Sequence, residues 1–357
     1  VNTLTYRIKT LSHMDSPVKI ILLLILAIKV RSELTILPNV HHPSNFSKKA
    51  RDDTLIITTP QENNYAVMVL KVMSDGEPDF TEVCSGSLLS PQWALTAAHC
   101  LYEHEMSNEI HTAFLVYAGG NSIEELIGRV PMPEGAETAS SHAALAHPLY
   151  TNGKIVAYDI ALINVLPSFN LSSVIGTIQV VTEPWVKKDY VSCQITAFGL
   201  ANSSKDTPEL HYTRKTENLL VSQCKCRKEI KIITGTSDWL CALPKEEYGI
   251  CWGDFGGGLV CDGKLVGVNS LLLGIENLAI CRFGYQDPEC GAKNTLSLFT
   301  VACHHARWIY SHVKTLNEAH FAKGCWNWES DESASVPSMM VSRVLQTIYF
   351  LLVYFVL

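Results

Sequence analysis

The sequence predicts an all-β protein, built as a sandwich or a barrel, and two features of the chain lead to that prediction. Short runs rich in β-branched residues recur from about residue 55 onward, among them 65–72, 155–157 and 265–268. Segments rich in Gly, Asn, Pro and Asp separate the runs, as expected of strands joined by turns. Many short strands with no helical patterns between them are typical of sandwiches and barrels.

The carboxyl-terminal part of this region departs from the strand pattern. Residues 304–317 contain no Gly or Pro, and their apolar side chains recur at helical spacing. The face formed in this way consists of Ala306, Ile309, Tyr310 and Val313. The spacing predicts a helix, with His304 and His305 at its start as surface residues.

The composition is that of a globular chain with a sizeable core: 357 residues, of which 47% are hydrophobic and 18% charged. A net charge of -7 gives no electrostatic indication of nucleic acid as a partner. One basic cluster is present, and we expect it to be a solvated surface loop rather than a contact for an acidic polymer. The cluster consists of Lys225, Arg227, Lys228 and Lys231.

The cysteines indicate an oxidising compartment. All twelve lie between Cys84 and Cys325, at irregular spacings that do not match zinc sites. Even the pair Cys224 and Cys226 lacks a second pair of ligands. A disulfide framework explains them better. Three glycosylation sequons agree with an extracellular location: Asn45, Asn170 and Asn202.

The amino-terminal segments predict secretion. Residues 1–13 precede Met14 and are expected to be an untranslated or artefactual extension. Residues 14–32 have the organisation of a signal peptide: Lys19, a short apolar run and a small-residue cleavage site. That apolar run falls well short of the roughly 20 residues that span a bilayer. Residues 33–54 are polar and are expected to form a linker or a vestigial pro-segment.

The carboxyl-terminal segments suggest a surface anchor. Residues 317–335 include an acidic, serine-rich stretch and are expected to form a stalk that ends in small residues. Residues 336–357 consist of a short spacer and an apolar run. This is the layout of a glycosylphosphatidylinositol attachment signal. A tilted membrane span and a peripheral tail remain alternatives.

Three motifs between residues 55 and 316 resemble, in the same order, those of the chymotrypsin-like (S1) serine proteases. The first ends in Thr-Ala-Ala-His-Cys at Cys100, and the second reads Tyr-Asp-Ile-Ala-Leu-Ile from Tyr158. The third reads Cys-Trp-Gly-Asp-Phe-Gly-Gly-Gly-Leu-Val-Cys from Cys251, where the family has Gly-Asp-Ser-Gly-Gly-Pro. The resemblance implies two packed six-stranded antiparallel β-barrels with a C-terminal helix, and a site in the cleft between the barrels.

The resemblance also implies disulfides and leaves others open. It implies Cys84–Cys100, Cys193–Cys261 and Cys251–Cys281, and a bond between Cys241 and either Cys224 or Cys226. The partners of Cys290, Cys303, Cys325 and the remaining member of the pair Cys224 and Cys226 do not follow from it.

For the catalytic residues, the resemblance implies a remnant of the Ser-His-Asp triad. His99 and Asp159 match the histidine and the aspartate, and the backbone N–H groups of Gly253 and Phe255 match the oxyanion pair. Phe255 stands at the position of the nucleophilic serine. A benzyl side chain has no hydroxyl that a base could deprotonate, and therefore no nucleophilic lone pair. The sequence therefore predicts an inactive protease homologue.

The activation sequence of the family is also absent. Family members begin their mature chain with Ile-Val-Gly-Gly after a basic residue, and the new amino terminus pairs with the aspartate that matches Asp254. The corresponding stretch here is 54–59, without Lys or Arg directly before Ile56, and Arg51 is followed by Asp52. We therefore expect no trypsin-like activation and a different partner for Asp254.

The specificity pocket that the resemblance implies is altered as well. Gly249 occupies the pocket-base position, so no carboxylate awaits a basic side chain. Ser270 matches the pocket-wall serine, but Leu272 stands where the family has an entrance glycine. Gly258 replaces the proline after the double glycine.

These observations predict a secreted or surface-anchored pseudoprotease that binds protein, as a decoy or a cofactor for active serine proteases. One alternative is an active serine-type endopeptidase, if Phe255 is a sequence error or another serine is recruited. A second alternative is an adhesion or structural protein of the cell surface. No cofactor or metal is expected, because His99 and Asp159 supply at most two of the three ligands of catalytic zinc.

Overall fold

The computed structural model describes residues 59–73, 76–102, 109–150, 152, 156–185, 189–200, 212–236, 238–243, 250–284, 294–314 and 325. All of them belong to one compact unit, His41–Leu357. The predicted signal peptide, linker and hydrophobic tail lie outside the described residues, as does nearly all of the predicted stalk. Among the helices that the structure describes, none is long and apolar enough to cross a membrane.

The first six strands form a closed antiparallel barrel in the order β1-β2-β3-β6-β5-β4, with β4 paired to β1. In β1 the side chains of Met68 and Leu70 pack in one core cluster, while Val67 and Val69 pack in the other. This alternation follows from the two-residue period of a strand. The strands are β1 (Ala66–Val72), β2 (Pro78–Ser90), β3 (Trp93–Thr96), β4 (Phe114–Ala118), β5 (Glu137–Ala146) and β6 (Ala161–Leu166). A short helix, α1 (Ile123–Leu126), lies between β4 and β5.

Six of the next seven strands form the second barrel. Its ring runs β10-β7-β8-β9-β13-β11 and closes through pairing of β10 with β11, while β12 adds a short hairpin to β11. The strands are β7 (Val191–Leu200), β8 (Tyr212–Gln223), β9 (Trp239–Ala242), β10 (Gly258–Cys261), β11 (Lys264–Asn277), β12 (Arg282–Phe283) and β13 (Thr295–Val301). Helix α2 (Arg227–Thr234) connects β8 to β9. The predicted fold of two six-stranded barrels is confirmed.

Two of the three β-branched runs singled out in the sequence form strands, and one does not. Residues 65–72 largely coincide with β1, and 265–268 lie in β11. Val156 and Ala157 lie outside the strands, and Ile155 lies outside the described residues. Val156 is fully buried, so its apolar character reflects packing beneath a loop and not pairing in a sheet.

The closing helix is present but shorter than predicted. A 3-10 turn (Ala302–His305) leads into α3 (Ala306–His312). The predicted apolar face is buried over its whole length, from Ala306 to Val313. His305 is also buried, which corrects the expectation that both histidines are surface residues. The 3-10 turn places His305 under α3, against the aromatic rings around His147.

Five disulfides lie within the described residues. Two that the resemblance implied are present, Cys84–Cys100 and Cys193–Cys261, and Cys224 is the partner of Cys241. The expected Cys251–Cys281 bond is wrong, because Cys281 is bonded to Cys226. The hairpin of β11 and β12 places Cys281 beside the start of α2, where Cys226 lies. The fifth bond joins Cys303 to Cys325, Cys251 is also disulfide-bonded, and Cys290 lies outside the described residues.

Ser85 in β2 connects the two barrels. Its hydroxyl donates a hydrogen bond to the Gly253 carbonyl (2.7 Å) and accepts one from the Phe198 N–H (2.8 Å). Its own N–H donates to the Phe255 carbonyl over 2.7 Å. Because the Ser85 side chain is fully buried, these bonds fix the loop around Phe255 against the first barrel.

Candidate active site

His99 and Asp159 meet because the strands that carry them are paired. His99 begins a 3-10 turn just after β3, and Asp159 precedes β6; Thr96 of β3 lies opposite Ala161 of β6. The Asp159 carboxylate accepts two bonds from His99, one from its backbone N–H (2.8 Å) and one from Nδ1 (2.7 Å). These bonds place the ring proton on Nδ1 and direct Nε2 away from the carboxylate.

Asp159 is fully buried and receives further bonds from the second barrel. The Ser270 hydroxyl donates a hydrogen bond to Oδ2, and the Thr300 hydroxyl donates to the Asp159 carbonyl over 2.9 Å. Hydrogen bonds to a buried carboxylate favour its charged form. The sequence matched Ser270 to the wall of a specificity pocket; in the structure its hydroxyl orients Asp159.

The Phe255 ring lies beside the His99 imidazole. The ring centroids are 5.3 Å apart and the planes are nearly perpendicular, at 80°. Trp252 makes a second edge-to-face contact with Phe255, with centroids 6.2 Å apart. The Phe255 side chain is 4% exposed. The place next to the imidazole is therefore filled by a hydrocarbon ring.

The loop around Phe255 is a series of tight turns. Asp254 N–H donates to the Cys251 carbonyl (3.1 Å), and Gly257 N–H donates to the Asp254 carbonyl (3.0 Å). Gly253 has a φ of +84°, and a Cβ there would lie 2.2 Å from the Phe198 carbonyl oxygen, so only glycine fits. Within the described part of the chain, neither the Gly253 nor the Phe255 N–H donates to a backbone carbonyl.

Asp254 has a partner that the sequence did not reveal. The ammonium group of Lys215, in β8, lies 2.8 Å from its Oδ2, and both side chains are 3% exposed. The Cys251 N–H donates to the same oxygen over 2.8 Å. Lys215 lies in the polar run Tyr-Thr-Arg-Lys-Thr-Glu, which is indistinguishable from a solvated strand without knowledge of what faces it.

Of the remaining predicted positions, the structure describes Leu272 and Asn170. Gly249, Asn45 and Asn202 lie outside the described residues. Leu272 is 5% exposed and lies in β11 opposite Ser297 of β13. Asn170 is exposed on the surface, where its side-chain amide donates to a Glu137 oxygen over 2.9 Å.

A cluster of rings adjoins the Asp159 loop from the other side. His147 stacks on Tyr158 at 5.1 Å and meets His305 and Trp308 edge-on at 4.9 and 5.1 Å. Burial lowers the pKa of His147 to about 4. Burial, followed by the charges of His147 and His304, lowers the pKa of His305 well below its ordinary value. Both imidazoles are therefore neutral at pH 7, and we find no catalytic use for them.

The neighbouring His304 lies outside this cluster of rings, and its Nδ1 bonds the Asp238 carboxylate.

Three comparisons with known proteins bear on this site. The family model described as Trypsin matches residues 57–309. Kallikrein-8 of Mus musculus is 28% identical over 231 residues, which cover 64% of this chain and 75% of that protein. A solved structure of neuropsin, a serine protease expressed in the limbic system of mouse brain, aligns with a TM-score of 0.54 and 22% identity, over 73% of this chain and 99% of that one. The structural likeness supports the two-barrel fold.

Proposed function

Because the chain belongs to the trypsin family and carries Phe255 beside His99, we propose that it is a pseudoprotease that acts by binding protein. The contact between the two rings is the observation that carries this proposal. In the triad mechanism the imidazole takes a proton from a hydroxyl at this place. Phe255 offers the imidazole only C–H groups.

The size of the catalytic loss decides against a weak protease. Removal of the nucleophile from a triad protease lowers turnover by about 10⁶. The oxyanion donors and substrate binding retain about 10³–10⁴ over the reaction in water. In this chain the buried Phe255 ring also packs directly against the His99 imidazole.

A recruited hydroxyl is the main competing explanation, and the Ser270 hydroxyl bonds the Asp159 carboxylate. Its oxygen contacts Asp159 Oδ2, the same oxygen that accepts the bond from His99 Nδ1. Nε2, the nitrogen that acts as base in the triad, lies at the opposite side of the imidazole. Ser270 therefore supports the aspartate and does not replace the missing serine.

The proposed partners are active serine proteases of the same family or their protein inhibitors, for which this chain would act as a decoy or a cofactor. A trypsin-family fold that lacks the nucleophile can bind protein without cleaving it. We propose an extracellular location and a lipid anchor supplied by residues 336–357. The disulfides support an oxidising compartment. The alternative, an adhesion or structural protein of the cell surface, differs from this proposal only in its binding partner.

The test of inactivity uses the secreted protein, a peptide library and a fluorophosphonate probe. We expect neither cleavage nor a covalent adduct. His99→Ala is the matched control, because any triad chemistry needs the imidazole. Cleavage or labelling of the wild type that disappears in His99→Ala would overturn the proposal.

The test of binding uses immobilised protein and a panel of active trypsin-family proteases and their protein inhibitors. We expect saturable binding of at least one member, weakened by His99→Arg in the cleft. Ile280→Arg, at an exposed residue outside the loops of the site, is the control and should bind as the wild type does. If His99→Arg and Ile280→Arg both bind with the affinity of the wild type, the cleft has no role in binding.

A further inference from the structure

The Lys215–Asp254 ion pair is buried at the base of the loop that carries Phe255. Lys215 Nζ lies 2.8 Å from Asp254 Oδ2, and Glu217 Oε1 lies 3.8 Å from the same ammonium. All three side chains are buried. A charge in such a place is tolerated only when an opposite charge compensates it. Lys215 therefore supplies an opposite charge to Asp254, while the ammonium itself lies near the carboxylates of both Asp254 and Glu217.

The fold leaves a specific space for this pair. Gly199 lies at the end of β7, beside β8, and has no side chain where the two charges meet. A Cβ at Gly199 would lie 2.1 Å from Asp254 Oδ1 and 2.3 Å from Lys215 Nζ. Strand β7, strand β8 and the loop thus combine to form the site of the ion pair. Any larger residue at position 199 would force the two charged side chains to shift.

The chain entering β1 is held in a different way. Arg214 is fully buried, and its guanidinium donates to the carbonyls of Glu62 (2.8 Å) and Asn63 (2.6 Å). Burial lowers the pKa of Arg214 to about 10, so it remains charged at neutral pH. Successive side chains of a strand point to opposite faces. Arg214 therefore holds the incoming chain while Lys215 reaches Asp254.

We infer that Lys215 is an internal substitute for the activating amino terminus, and that it holds the 251–257 loop in its folded conformation in the uncleaved chain. In the family the ammonium partner of this aspartate is created by proteolysis. Here it is supplied by a side chain of β8, and the incoming chain is bound through its carbonyls and not through a terminal amine. The cleft is therefore formed without an activation cleavage. Lys215 acts as a positioning residue.

The experiment measures amide hydrogen exchange of the 250–258 segment in the intact protein, with the absence of cleavage checked by mass. Lys215→Met removes the charge, and Gly199→Ala keeps both charges but fills the space between them. We expect the exchange rate of the loop amides to rise about tenfold or more in both variants. Lys71→Met is the control, because its ion pair with the exposed Glu82 lies on the first barrel.

Three results would overturn the inference. One is exchange of the loop amides in Lys215→Met that stays within about twofold of the wild type. Another is a wild-type loop that becomes protected only after cleavage upstream of β1. The third applies if Lys215→Met is produced in too low a yield for exchange measurements. The double variant Lys215→Met/Asp254→Asn removes both charges, and we expect its yield to be higher than that of Lys215→Met. Equal recovery would show that Lys215 does not act through Asp254. These readouts do not depend on whether the protein binds a protease.

Discussion

At the scale of single residues, Phe255 has two effects that separate experimentally. It removes the hydroxyl from the site, and its buried ring fills the space between His99 and Trp252. The first effect concerns chemistry and the second concerns stability. Active proteases of the family have a serine at this position, which is much smaller than phenylalanine. In this chain His99 and Trp252 pack against the larger ring.

Phe255→Ala is therefore expected to destabilise the protein. Emptying a buried aromatic site costs about 3–5 kcal/mol, since the cavity closes only partly. Chemical denaturation should show this loss in the free energy of unfolding. Leu220→Ala, at a residue that is 54% exposed, serves as control and should change it by less than about 0.5 kcal/mol. An equal, small effect of both substitutions would show that the ring is not packed in the site.

At the scale of elements, α3 is docked on the first barrel through neutral histidines. His147 contacts both His305 and Trp308, which precede and begin this helix. The pKa of His147 is about 4 in the folded protein and about 6.5 in an unfolded chain. Between these values the unfolded chain binds the extra proton, so the free energy of unfolding falls as the pH is lowered.

We expect the free energy of unfolding to decrease between pH 6.5 and pH 4 by up to about 1.4 kcal/mol per pH unit for this one group. His147→Gln removes one titrating group and should reduce the slope of the pH profile over this interval, while the buried His305 retains part of it. His142→Gln, at an exposed histidine of β5, is the matched control. Thermal unfolding of the three proteins at several pH values checks the prediction, and parallel profiles for wild type and His147→Gln would contradict it.

Several elements followed from the sequence, and the exceptions share one cause. The motifs around His99, Asp159 and Phe255 were recognisable because their signal is local. The Cys226–Cys281 bond, the Lys215–Asp254 pair and the burial of His305 depend on which distant segments meet. A polar run such as that of β8 has the same appearance whether water or a buried aspartate faces it. Long-range contacts of this kind are not encoded in any short window of residues.

At the scale of the whole molecule, the arrangement of the two barrels depends on buried polar contacts as well as on the shared core. Ser85 bonds Gly253 and Phe198 of the second barrel through its hydroxyl, and Thr300 bonds Asp159 in the opposite direction. These bonds place the histidine and aspartate of one barrel against the loop of the other. The site exists only while the two barrels are joined.

Ser85→Ala tests this connection, because it leaves the Gly253 carbonyl and the Phe198 N–H without their partner. Each buried polar group left unpaired costs about 1–3 kcal/mol. Ser87→Ala is a close control: Ser87 lies in the same strand and is equally buried, and its hydroxyl has no hydrogen-bond partner among the described residues. Denaturation should show a clear loss for Ser85→Ala and little change for Ser87→Ala. The reverse order would contradict the account.

The central claim is that Phe255 is what leaves His99 without a nucleophile, and intact-mass measurement after fluorophosphonate treatment tests it most directly. In Phe255→Ser, the hydroxyl proton would pass to His99, an oxygen–phosphorus bond would form and fluoride would leave. We predict no mass increase for the wild type, one phosphonyl group on Phe255→Ser, and none on Phe255→Ser/His99→Ala. A phosphonyl group on the wild type, or an unreactive Phe255→Ser that is folded, would contradict the claim.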